Sequence, residues 1–270
     1  MAKRETLEQQ KAYHYECIRA INTHHNECIR AINTQLNELV PVSQIPPELL
    51  SKIFLHTAGQ HAYPARVPPQ ICVTHVCRHW REVALQCAAL WSHVDVPALP
   101  EKLAEFLKRS KDAPLSMTLS FRPLRWHLPS ARQLVPPEDA ALSALSALHR
   151  VQTLTVDASE DPTDVVLEHM GGRAPLLESL TITSRGLSLS KLIHVRESIS
   201  RMLSHPESRR LRTLATDLCC LTWKEIPWDG LTRLEVHSNG HSDPGEPGIP
   251  SFFKALSHMP CLKELELRKV

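Results

Sequence analysis

The sequence predicts an α/β chain: helices come first, and a run of parallel strands stacked as an irregular solenoid follows. Three observations predict this. The residues before about 92 read as helical patterns interrupted by prolines. Beyond them, five segments have the form apolar-x-x-apolar-x-apolar or nearly so: VQTLTV at 151–156, LESLTI at 177–182, LRTLAT at 211–216, LTRLEV at 231–236 and LKELEL at 262–267. Finally, 21 prolines against 8 glycines sit largely at segment edges, as punctuation between short elements.

The totals set the frame. A chain of 270 residues with 42% apolar and 22% charged residues expects a sizeable core in one or two domains. A net charge of +2 gives no electrostatic case for nucleic acid or an anionic membrane as partner. No run of eighteen apolar residues occurs, and MAKRETLEQQ lacks an apolar signal region, so neither membrane spanning nor secretion is expected. The 8 cysteines include no C-x-x-C pair and mostly lie in apolar patterns, as reduced thiols do in the cytoplasm or nucleus.

Residues 1–40 form the first region. ECIRAINT occurs at 16–23 and again at 27–34, a period of 11, or three helical turns. Ile18, Ile21, Ile29, Ile32, Leu36 and Leu39 fall near one stripe, predicting an amphipathic helix over about 5–39 that stops before Pro41. Two readings stand: a helix that docks on its own domain or stands partly free, or a short coiled coil giving weak self-association.

Residues 41–92 form the second region. In PVSQIPPELLSKIFLHTAG, Ser43 and Pro46-Pro47 are helix-start signals, because the first turn tolerates proline. Glu48 suits the positive end of the helix dipole. Leu49, Leu50, Ile53 and Phe54 then give a wide apolar face on a helix too short to be stable alone. The loop HAYPARVPPQ follows. In ICVTHVCRHWREVALQCAALW, Val73, Val76, Cys77, Trp80, Val83, Ala84 and Ala88 recur every three or four residues, and Leu90-Trp91 closes the unit. So much apolar surface in so small a unit points either to a partner or to a small core of its own. His75 and His79 lie near Cys72 and Cys77, but no glutamate follows His75 and no second cysteine pair stands at ligand spacing, so no metal is expected.

The order of these elements resembles an F-box: Ile45 to Leu50, Ile53-Phe54, Val76 to Arg81 and Leu90-Trp91, with Ile-Pro where the family more often has Leu-Pro. The resemblance implies binding to the Skp-type adaptor of a cullin–RING ubiquitin ligase through an interlocking helical interface. It places Pro46, Pro47, Leu49, Leu50, Ile53 and Phe54 against the adaptor, with Trp80, Val83 and Trp91 as either core or rim.

Residues 93–270 form the third region. SHVDV reads as a strand, PEKLAEFLKRS as a helix and APLSMTLSF as another strand. The central leucines of the five later segments, Leu154, Leu180, Leu214, Leu234 and Leu265, are 26, 34, 20 and 31 residues apart. One strand per 20 to 35 residues marks a leucine-rich-repeat solenoid, and helical patterns such as EDAALSALSALHR and LSKLIHVRESISRML lie between. The asparagine that usually ladders the turn after each strand is replaced by Asp157, Thr183, Asp217 and His237, so the repeat is expected to be irregular. The five leucines are expected to be nearly fully buried on parallel strands in chain order. The sequence stops at Val270 just after a strand, implying either a helper chain over that edge or a shortened version of a longer protein. An F-box, irregular leucine-rich strands and a short preceding helix are together similar to a large group of fungal F-box proteins.

These readings converge on an adaptor-bound substrate receptor that works by proximity and needs no catalytic residue or cofactor. A non-degradative interaction scaffold with a vestigial F-box is the alternative. No enzyme is expected: there is no G-x-S-x-G and no glycine-rich phosphate loop, and Asp161, Asp164 and Glu168 read as a solvated helix face. SNGHSDPGEPG at 238–248 reads as an excursion between repeats.

Overall fold

The computed structural model describes residues 2–59, 68–96, 100–121, 138–158, 163–184, 189–217, 221, 223, 228–238 and 249–269. The rest of the HAYPARVPPQ loop, Asp161, Cys219, Cys220 and residues 239–248 of the glycine- and proline-rich excursion lie outside them. The chain divides into two compact units, Met1–Cys87 and Ala88–Val270.

The first unit is helical. Helix α1 (Ala2–Glu38) is followed by a 3-10 turn at Pro41–Gln44, then α2 (Pro47–Gly59), α3 (Pro69–Val73) and α4 (Arg78–Gln86). The 11-residue repeat is visible in the local bonding of α1: Thr23 Oγ1 donates to the Arg19 carbonyl and Thr34 Oγ1 to the Arg30 carbonyl, both at 2.9 Å. Prolines open the shorter helices. Pro47 stands at the start of α2, and the Pro46 carbonyl accepts from Leu49 and Leu50 N–H at 3.0 Å each. Pro69 opens α3, where a missing N–H leaves no bond unmade. Helix α4 instead starts on Cys77, whose sulfur accepts from the Trp80 N–H at 3.5 Å.

The second unit begins with a 3-10 turn at Ala88–Trp91, and its described residues carry seven strands: β1 (His93–Val96), β2 (Leu115–Ser120), β3 (Val151–Asp157), β4 (Ser179–Thr183), β5 (Thr213–Asp217), β6 (Arg233–Ser238) and β7 (Glu264–Lys269). They form one sheet in chain order, and every neighbouring pair is parallel. Helices α5 (Pro100–Arg109), α6 (Glu138–Leu145), α7 (Asp164–Met170), α8 (Leu189–Ser204) and α9 (Ile249–Leu256) fall between the strands.

Register explains the core. Met117, Leu154, Leu180, Leu214, Leu234 and Leu265 are paired in one continuous row across β2 to β7. Alternation along each strand sends this row to the face that the helices cover. There Leu103 of α5, Ala140 and Ala144 of α6, Val166 and Met170 of α7, Val195 and Ile199 of α8 and Phe252 of α9 join the strand residues in one cluster. Leu154, Leu180, Leu214 and Leu234 are fully buried. Leu265 corrects the expectation: it is 45% exposed and Leu267 62%, because β7 is the outer strand of the described sheet and its row ends there.

Two supports were not anticipated from the sequence. Trp223 is buried between Trp228 and Phe252, with ring centroids at 5.6 and 5.0 Å, and the Trp228 indole N–H donates to the Trp223 carbonyl at 3.1 Å. The Arg150 guanidinium donates to the carbonyls of Leu107 (3.1 Å), Lys111 and Ala113 (3.4 Å) and to Ser110 Oγ (3.0 Å), tying down the α5–β2 turn, where Lys111 has φ of 47°. Burial pushes the Arg150 pKa below its ordinary value.

Candidate partner-docking surfaces

In the first unit, α2 carries two apolar stripes with i,i+4 spacing, and they point different ways. Leu50 and Phe54 turn inward, at 0% and 1% exposure. Phe54 packs against Trp80 of α4 with ring centroids 5.1 Å apart, a tilted aromatic contact that joins the two helices. Val73, Val83 and Ala84 are buried as well, and Trp80 is half-buried. The α3–α4 turn is held by Thr74, whose hydroxyl donates to the Ile71 carbonyl at 2.7 Å and whose carbonyl accepts from Arg81 at 3.5 Å.

Leu49 and Ile53 turn outward, at 49% and 46% exposure, with Pro46 and Pro47 exposed beside the first turn. Leu55 is exposed on α2, as is Val76 in the α3–α4 turn. Together they make an exposed apolar patch on α2 and the α3–α4 turn. Leu50 and Phe54, which the resemblance placed against an adaptor, are interior in this unit, and Val83, left as core or rim, is interior as well. Trp91 belongs to the second unit, fully buried, edge-on to Phe106 at 5.2 Å and with the Arg109 guanidinium 4.3 Å from its ring.

Periodicity alone could not separate the two stripes, since Leu49–Ile53 and Leu50–Phe54 are equally apolar and equally spaced. The available signal was Trp80: a large aromatic on the neighbouring helix needs a partner of comparable size, and Phe54 is the aromatic of α2.

The second unit presents a different surface on the sheet face opposite the leucines. The register aligns Ser116, Thr153, Ser179 and Thr213 in one row and Thr118, Thr155 and Thr181 in the next. These side chains are half-buried by their neighbours, so the middle of the face is a field of hydroxyls without formal charge. Charge collects on β6 and β7. Arg233 reaches Glu264 at 2.7 Å and Glu266 at 3.7 Å, while Arg268 lies 2.7 Å from Glu266 and 3.2 Å from Glu235. The hydrogen bond from Arg268 holds the Glu266 carboxyl below its ordinary pKa and raises that of Arg268.

Among the described residues no three His, Cys, Asp or Glu side chains gather as a metal ion would require. The described residues also include no helix long and apolar enough to cross a membrane.

A family model matches part of the chain. Residues 42–97 match the F-box-like family. The F-box-like segment contains α2, α3 and α4, and hence the exposed Leu49–Ile53 pair; it also takes in the 3-10 turn and β1. No curated protein matches the chain.

Proposed function

We propose that the chain is the substrate-recognition subunit of a Skp–cullin–F-box ubiquitin ligase. The F-box-like segment would dock on the Skp-type adaptor, and the adaptor would carry it to a cullin. The observation that carries this reading is the Leu49–Ile53 pair: two large apolar side chains held out to solvent on a helix inside the matched segment. Central apolar anchors of this kind dominate helical interfaces.

The second unit supplies the target-binding part of the reading. One leucine row in register across parallel, chain-ordered strands supports an irregular leucine-rich-repeat solenoid of the kind seen in the fungal group of F-box proteins. The hydroxyl face would hold the target protein, since the helices cover the other side of the sheet. Such a receptor has no chemistry of its own; it raises the effective concentration of the target's lysines near a ubiquitin-loaded enzyme. It acts in the cytoplasm, the nucleus or both, which suits the free thiols of Cys17, Cys28, Cys77, Cys87 and Cys261.

Pull-down of purified Skp-type adaptor tests this. Leu49→Ala with Ile53→Ala should weaken capture at least about thirtyfold. Undiminished capture by this double variant sinks the adaptor reading. Capture of adaptor without cullin would instead favour a non-degradative scaffold.

A further inference from the structure

Helix α1 runs 37 residues, about 55 Å at 1.5 Å per residue. Leu7, Ile18, Ile21, Ile29, Ile32 and Leu36 each stand 49% to 64% exposed along it. Their spacing follows an 11-residue pattern of steps 3, 4 and 4 from Ile18 onward, with His25 filling the place between Ile21 and Ile29. At 3.67 residues per turn these positions lie in a band about 65° wide that stays straight along the helix, the geometry of a gently right-handed coiled coil.

We propose that this band pairs with the same band of a second copy of the chain, in a two-stranded seam where His25 meets His25 of the second copy. Two observations select a copy over a different partner. From His14 to Leu36 neither the band nor its shoulders carry Lys, Arg, Asp or Glu: Asn22 and Asn33 line one shoulder and Cys17 and Cys28 the other. Glu16, Arg19, Glu27 and Arg30 all point to the far side, so an identical helix meets no like charge. Selection of a different helix relies on charges at these shoulders, and α1 has none there. A closed pair also requires a self-complementary patch, and a band built from two copies of ECIRAINT is one.

The seam closes in either direction. Parallel helices put each residue beside its counterpart; antiparallel helices centred on His25 put Ile18 beside Ile32 and Ile21 beside Ile29. Both make one layer of facing His25 side chains, the polar layer that keeps the association weak. The inference stands apart from adaptor docking, and the two can fail separately.

Sedimentation equilibrium of the full chain, from nanomolar to high-micromolar concentration, tests it. The wild-type chain should approach twice its own mass, with a dissociation constant in the micromolar range. Ile18→Asp with Ile29→Asp should weaken the pair at least about a hundredfold, and His25→Leu should tighten it about tenfold or more. Glu16→Lys with Glu27→Lys, on the far side, should leave it within about twofold. A monomer at every concentration, a pair that survives the isoleucine double variant, or a His25→Leu chain no tighter than wild type overturns the seam.

Discussion

Asp217 takes two hydrogen bonds from Ser184, one from the backbone N–H at 2.7 Å and one from the hydroxyl at 2.9 Å, and both residues are buried. The end of β5 is thereby fastened to the residue after β4, at a position where an asparagine ladder would have used an amide. Asp217→Ala should destabilise the second unit by about 2–3 kcal/mol, because two buried donors lose this acceptor. Asp217→Asn keeps an acceptor oxygen and should recover more than half of that loss in denaturant unfolding. Equal losses for the two variants would show that the bonds to Ser184 carry little.

Leu180 and Leu214 sit mid-row with strands on both sides. Either leucine replaced by alanine should cost about 2–5 kcal/mol. Leu265, already 45% exposed, should cost under about 1 kcal/mol by the same measurement. An equal penalty at all three would contradict the row's open end at β7.

On α2 the two stripes should separate stability from binding. Phe54→Ala empties the space against Trp80 and should cost about 3–5 kcal/mol. Leu49→Ala with Ile53→Ala should leave the melting temperature nearly unchanged, since both side chains already face water. Calorimetry of the variants beside the adaptor pull-down gives both readings on the same preparations.

Arg150 closes the α5–β2 turn through three carbonyls and a hydroxyl. Arg150→Ala should cost about 2 kcal/mol, and Arg150→Lys should restore little of it, because an ammonium cannot span partners fixed by a planar fork. At Lys111, with φ of 47°, a side chain is strained where glycine is not. Lys111→Gly should therefore stabilise the chain by up to about 1 kcal/mol, and a loss instead would mean that the turn is relaxed as it stands.

The Asp164 carboxyl is held below its ordinary pKa, first by a hydrogen bond from Lys191 at 2.6 Å and further by His194 at 3.5 Å. A depressed carboxyl stabilises the fold above the usual carboxylate range, around 4, and stops doing so as pH falls through its folded value. Asp164→Asn should thus lower the melting temperature slightly at neutral pH, less in high salt, and not at all in strong acid. A difference that persists in acid would assign the effect to something other than this charge.

Much of this fold was legible in the residues. The strands follow from short apolar segments with a leucine at a fixed place, because a sheet covered on one side needs one apolar face in register. The 11-residue repeat gave α1, since identical residues three turns apart fall on one side of a helix. Helix α9 and the Trp223–Trp228–Phe252 cluster were not read because aromatics brought together from a helix and a separate connection between strands leave no period in the sequence. At the docking surface the segment was legible and its orientation was not. Which of two adjacent stripes on α2 turns inward depends on Trp80, 26 residues beyond Phe54, and local spacing does not encode that choice.

The chain-ordered sheet has a consequence for synthesis. Each strand from β2 to β7 pairs with the strand made just before it, so as the chain leaves the ribosome every new strand meets a partner that is already out. The intervening stretches are a few tens of residues, and closing them grows harder only slowly with length. No strand in the row has to wait, unpaired and sticky, for a neighbour still to be translated. A nascent chain halted between two strands would expose, besides the outer edge of β1, only the edge of the last strand made, a small target for a growing sheet to offer to aggregation.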